Sequence, residues 1–183
     1  FVEEELYHTQ PTIPDTDADG FLDGHEVVNL YNPSGVAPEK LEAAGLVARA
    51  TNTTYGYEVL YPKAWPAPQD MAARELSFVV NGDAISIRVM DNPGNVALTD
   101  WAVQNFGGTL SVPISHAQRS GTFSAWTSNK TGLTGLFGEV NNGLRAAFAG
   151  RGLIYLFQYT PAAPEYPLYK TTFKMMLNSF KIM

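Results

Sequence analysis

From residue 46 onward, apolar and polar positions alternate in short runs, the period-two pattern of half-buried strands. Residues 46–50, 55–61, 75–80 and 84–90 form a first set of predicted strands. Asn81-Gly82-Asp83, between the last two, has the composition of a hairpin turn. A second set follows at 121–127, 144–149 and 153–159. Two stretches change period. Residues 97–106 place Leu98, Trp101, Ala102 and Phe106 on one helical face. Residues 166–180 repeat apolar side chains at 169, 173, 176, 177 and 180, which predicts a closing helix. The run 38–44 has room for one or two helical turns, and the Gly-rich run 132–138 is expected to be a mobile hairpin tip. The order predicts an α+β domain of mostly antiparallel strands sandwiched with helices.

The first 40 residues do not share this pattern, and charge sets them apart. They carry nine acids against the single base Lys40, a balance of −8, whereas residues 41–183 hold nine acids and eleven bases, a balance of +2. The net charge of −6 therefore belongs to the N-terminal segment. An acidic head on a near-neutral body implies a cation partner and argues against nucleic acid, since the bases form no run or stripe. The 45% hydrophobic content supports a real core, and no apolar run has the length of a membrane span. Cys is absent, which removes disulfides, thiolate nucleophiles and Cys-based zinc sites. The chain opens at Phe1 without a basic and then apolar leader. The expectation is a processed or trimmed chain, with any membrane attachment through an N-terminal segment already removed.

Within the head lies Asp15-Thr16-Asp17-Ala18-Asp19-Gly20-Phe21-Leu22-Asp23-Gly24-His25-Glu26. Carboxylates at loop positions 1, 3, 5, 9 and 12, with Gly at 6, make the EF-hand-type calcium pattern. Calcium is a hard cation that takes six to eight oxygens, and short Asp side chains alternating along a tight loop converge on one centre. Gly20 permits the sharp turn, Phe21 is expected to offer its main-chain carbonyl, and Glu26 is long enough to close the site with both oxygens. The expected metal ligands are Asp15, Asp17, Asp19, Phe21, Asp23 and Glu26, and the expected cofactor is Ca2+. Without a cation these carboxylates repel one another.

Pro11 and Pro14 keep a helix from running into the loop, so only its exit, from Gly24 to Tyr31, is helical in character. A truncated copy of that exit lies upstream. Glu4-Glu5-Leu6-Tyr7-His8-Thr9-Gln10-Pro11 matches Glu26-Val27-Val28-Asn29-Leu30-Tyr31-Asn32-Pro33, a period of 22 residues with Glu4 in the closing position. Pro14 through Gly20 with Asp23 and Glu26 resembles a bacterial thrombospondin type 3 calcium repeat over residues 1–36. That resemblance implies an exported or surface protein and a calcium-stiffened spacer. Ser34-Gly35-Val36-Ala37-Pro38 is the expected hinge, which divides the chain into a repeat, 1–36, and a body, 37–183.

In the body, Gly56-Tyr57-Glu58-Val59-Leu60-Tyr61-Pro62-Lys63-Ala64-Trp65 is similar to the opening of PsbP-like domains. The run from Tyr155 to Tyr159, then Tyr169 to Phe173 and Met176 to Phe180, resembles that family's closing strand and helix. This resemblance implies an α/β/α sandwich used for binding rather than catalysis, and it carries no functional residue.

The chemistry of the body is sparse. His8 and His25 are expected at the surface, and Ser115-His116 are neighbours that point to opposite faces of an extended chain. No nucleophile elbow, His-Glu-x-x-His or Walker-type loop occurs. Trp65, Trp101 and Trp126 offer either packing or a carbohydrate platform, and Asn52 and Asn129 lie in glycosylation sequons. The expected function is a non-enzymatic, extracellular, cell-surface or periplasmic calcium-binding protein of bacterial type that contacts protein partners. The alternatives are a carbohydrate-binding or hydrolytic surface domain, or a self-associating subunit of a calcium-dependent surface assembly.

Overall fold

The chain was analysed as a computed structural model describing residues 2–68, 70–106, 122–128, 130–140, 143–163 and 167–183. In chain order the elements are α1 (Val2–Tyr7), α2 (Asp23–Val28), β1 (Val47–Asn52), β2 (Tyr57–Pro62), β3 (Glu75–Val80), β4 (Asp83–Asp91) and α3 (Leu98–Phe106). They continue as β5 (Thr122–Thr127), β6 (Thr134–Val140), β7 (Gly143–Gly150), β8 (Leu153–Thr160), α4 (Lys170–Ser179) and β9 (Lys181–Ile182). The α+β class and the antiparallel pairing are as the hydrophobic pattern predicts. The strands divide into a three-stranded and a six-stranded sheet.

These elements form two compact units. One comprises Phe1–Ala72, Ser128–Thr131 and Pro167–Met183, the other Ala73–Thr127 and Gly132–Tyr166. The division expected between residues 36 and 37 does not coincide with a boundary between them. The acidic head belongs to the same unit as β1, β2 and α4.

In the first unit the sheet runs β1-β2-β9, and α4 packs against β2 and against α2. This double coverage explains the burial of α4. Thr172, Phe173, Met175, Met176, Leu177, Asn178 and Ser179 are all buried, more than one apolar stripe requires. Aromatic edges fill the interior: Trp65 meets Tyr169 at 5.1 Å and Tyr57 meets Phe180 at 5.7 Å between ring centroids. The run 38–44 forms turns rather than helix, and Lys40 makes a lone antiparallel bridge with Tyr31. That bridge also changes the character of the expected hinge. Asn32 N–H donates to the Glu39 carbonyl at 3.0 Å, and Asn32 Oδ1 accepts from the Ser34 N–H at 3.2 Å, so residues 32–39 are a stapled loop.

In the second unit the order is β3-β4-β8-β7-β6-β5, antiparallel throughout. The β3–β4 hairpin turns through Asn81 and Gly82 at φ 53° and 85°, the left-handed pair that an Asn-Gly turn supplies. Trp101 and Ala102 of α3 pack on Leu136, Ala147, Ile154 and Leu156. β6 occupies the run expected as a mobile tip. Its glycines lower strand propensity, but Gly135 faces β7 so closely that an added Cβ would lie 2.6 Å from the Phe148 ring. Ser115, His116 and Asn129 lie outside the described residues. Asn52 is buried, and its side chain accepts the Tyr55 N–H at 2.9 Å. Among the described residues no helix is long and apolar enough to cross a membrane.

Candidate metal centre

The 22-residue period read in the sequence recurs in the backbone. Thr9 N–H donates to the Glu4 carbonyl at 3.1 Å, and Tyr31 N–H donates to the Glu26 carbonyl at 2.9 Å. These are the same helix-ending bonds, one period apart. Each helix closes through a left-handed residue, His8 at φ 59° and Leu30 at φ 66°, again 22 apart. The following turns match as well, with Ile13 N–H on the Gln10 carbonyl and Gly35 N–H on the Asn32 carbonyl.

Between these helices the acidic loop curls around its own carboxylates. Asp15, Asp17 and Asp19 each bring an oxygen within 4.8 Å of the others. One oxygen of each Asp is used to shape the loop. Asp15 Oδ2 accepts the Gly20 N–H at 2.9 Å, Asp17 Oδ1 the Asp19 N–H at 3.1 Å, and Asp19 Oδ1 the Phe21 N–H at 3.1 Å. Ala18 and Gly20 make the tight path possible with φ 61° and 98°. Asp23 N–H donates to the Pro14 carbonyl at 2.9 Å and closes the ring where α2 begins.

What remains is a set of oxygens with nothing to accept. Asp15 Oδ1, Asp17 Oδ2, and both Oε1 and Oε2 of Glu26 are buried without a hydrogen-bond partner among the described residues. Glu26, carried on α2, is only 4% exposed. Its carboxyl is pushed up to about 7 by burial and then by the charges of Asp19, Asp17, Asp23 and Asp15. Burial and the neighbouring Asp19 and Asp15 charges also raise Asp17. Buried carboxylates without donors are costly, and a doubly charged cation reverses that cost. The donor set is all hard oxygen, with both oxygens of Glu26 left without a donor, and such a set would suit calcium.

The six expected ligands separate into groups. Asp15, Asp17 and Glu26 carry buried oxygens without a hydrogen-bond partner among the described residues. Asp19 clusters with Asp15 and Asp17, a group that does not include Glu26, and its second oxygen accepts the Ala37 N–H at 2.8 Å. Phe21 is exposed, and its N–H donates to Asp19. Asp23 is differently placed. Both of its oxygens accept from Thr16, at 2.7 Å from the N–H and 2.7 Å from the hydroxyl. It braces the loop at the position where EF-hand loops often reach the cation through water. Thr16 Oγ1 in turn accepts the Gln10 N–H at 2.9 Å, which links the loop to the turn after α1.

Thr16 and Ala37 were not legible as loop partners. A Thr at loop position 2 carries no ligand signature, and a main-chain N–H has no sequence signal at all. The anchorage of the segment was equally hidden. The Tyr7 hydroxyl meets Thr172 Oγ1 at 3.0 Å, Glu3 Oε1 accepts the Thr172 N–H at 2.5 Å, and Asn178 Nδ2 donates to the Val28 carbonyl at 2.7 Å. His8 and His25 are exposed, while Trp65 and Trp101 are buried.

No family model and no curated protein matches this chain. Among solved structures, the chain is similar to the solution structure of cyanobacterial PsbP (CyanoP) from Synechocystis sp. PCC 6803. That match has 19% identity, covers 75% of this chain and 92% of that one, and has a TM-score of 0.49. It is also similar to a crystal structure from Bacteroides thetaiotaomicron VPI-5482, with 11% identity, 74% and 48% coverage, and a TM-score of 0.45. At these identities neither match assigns a role to a residue.

Proposed function

We propose that this chain is a non-enzymatic calcium-binding protein of the cell exterior, in which Ca2+ at residues 15–26 fixes the acidic segment onto the first unit. The observation that carries this is the set of four buried, unpartnered oxygens of Asp15, Asp17 and Glu26 in one loop. The 22-residue recurrence of helix ends and turns supports a calcium repeat of the thrombospondin type 3 kind over residues 1–36.

The role differs from that of a detached spacer. Asp19 holds Ala37, and α1 and α2 bond to α4. Calcium is therefore expected to stabilise the unit as a whole. Extracellular modules bind calcium with dissociation constants of about 10⁻⁴–10⁻³ M, which suits a structural ion outside a cell. Protein contact by the remaining surface is the expected use of the body. The burial of Trp65 and Trp101 removes two of the three aromatics that a carbohydrate platform would need.

Thermal melting in calcium and in chelator tests the proposal. A site saturated about 100-fold above its dissociation constant adds about 2.7 kcal/mol. The expected result is a higher melting temperature in calcium for wild type and no response in Asp17→Asn/Glu26→Gln. A wild-type melting temperature that ignores saturating calcium overturns the proposal.

A further inference from the structure

The first unit holds a second feature of opposite charge. A cavity of about 250 Å³ is lined by Lys40, Arg49, Lys130 and Lys181, with Glu42 as the one acid in its wall. Leu30 and Leu60 supply apolar lining beneath the four cations, which are themselves exposed around its mouth. In a chain of net charge −6, four cations converging on one recess are a concentrated exception.

The cations are not equivalent. Arg49 pairs with Glu42 at 2.6 Å and with Glu58, and Lys181 pairs with Glu58 at 3.1 Å. Those two acids offset those two bases. Lys40 and Lys130 instead share an aromatic ring. Their ammonium groups lie 3.2 Å and 4.6 Å from the centroid of Tyr31, and neither has a carboxylate partner among the described residues. Two like charges on one ring repel, and cation–π attraction of about 0.5–1 kcal/mol at exposed sites is a modest return. The Lys40 hydrogen bond and then the Lys130 charge hold the Tyr31 phenol below its ordinary range, which records the same unbalanced positive field.

We propose that this recess is a binding site for a small organic dianion of the phosphate-monoester class, held between Lys40 and Lys130. A dianion neutralises the two ammonium groups that lack a carboxylate together, whereas a monoanion leaves one uncompensated. A cavity of about 250 Å³ has room for a phosphate with a short polyol.

Calorimetric titration with glycerol 2-phosphate, in low salt and with calcium present throughout, tests the site. The expected result is saturable one-to-one binding, weakened about tenfold or more in Lys40→Gln/Lys130→Gln and unchanged in Lys63→Gln. Each single variant, Lys40→Gln and Lys130→Gln, is expected to fall between, and acetate to bind about tenfold or more weakly than glycerol 2-phosphate. Absence of saturable binding, equal loss in Lys63→Gln, full affinity in the double variant, or acetate binding as tightly as the dianion each overturns the proposal.

Discussion

The hydroxyl groups of Tyr7 and Thr172, 165 residues apart in sequence, lie 3.0 Å from each other in a buried hydrogen bond. The bond joins α1, at the start of the acidic segment, to the first turn of α4. It makes the head part of a core. Tyr7 is 1% exposed, and burial holds its phenol well above the ordinary range. Tyr7→Phe is expected to cost about 1 kcal/mol through the unpaired Thr172 hydroxyl. Tyr7→Ala is expected to cost about 3–5 kcal/mol through the cavity it leaves. Urea midpoints at fixed calcium check both values, and a detached spacer would leave both unchanged.

Glu26 gives a pH dependence whose sign is fixed. In the cation-free protein its carboxyl sits at about 7 against an ordinary 4.5, so the folded state holds a proton that the unfolded state has released. Its contribution to stability is full below about 4.5 and is lost as pH rises through about 7. Cation-free protein is expected to lose stability across that window, and Glu26→Gln to flatten the loss. Calcium competes with the same proton, so its apparent affinity is expected to fall as pH drops below about 7. Melting curves in chelator and calcium titrations at pH 5.5 and 8 check the two halves.

Thr16 is expected to matter for calcium without touching it. Its N–H and hydroxyl hold both oxygens of Asp23, which closes the ring of the loop. Thr16→Val removes the hydroxyl bond and leaves Asp23 held by the Thr16 N–H alone. Outer partners of this kind typically cost about 10–100-fold in metal affinity when removed. Calorimetry on Thr16→Val, with Thr16→Ser as the conservative control, reads the effect. Rescue by Ser is the expected outcome.

The acidic loop was legible because its pattern is contiguous. Twelve successive residues must supply the oxygens at fixed intervals, so Asp15, Asp17, Asp19 and Glu26 declare themselves by spacing. The strands were legible where alternation is clean, as in β3 and β4. The docking of the head was not. It rests on Thr172 and Asn178, polar positions of α4 that a single-stripe helix pattern assigns to solvent. Their partners, Tyr7 and the Val28 carbonyl, lie at the other end of the chain. β6 was missed for a related reason. Its glycines signal a turn locally, whereas the place of Gly135 is set by Phe148 on the neighbouring strand.

That neighbour makes Gly135 a test of the second sheet. An added Cβ would meet the Phe148 ring at 2.6 Å and 2.8 Å and press on the Ala147 carbonyl. Backbone cannot give way as a flexible side chain does, so Gly135→Ala is expected to destabilise by about 1–3 kcal/mol. Gly132→Ala is the contrast, because open space surrounds its Cβ and only its φ of 70° resists the change. Urea denaturation of both variants gives the ranking.

The most direct test of the central claim is a calorimetric calcium titration of wild type beside Asp17→Asn/Glu26→Gln at pH 8. The account predicts one calcium site in the wild type and none in the variant. A wild type that releases no binding heat and gains no melting temperature in calcium would contradict it, as would a variant that binds as the wild type does.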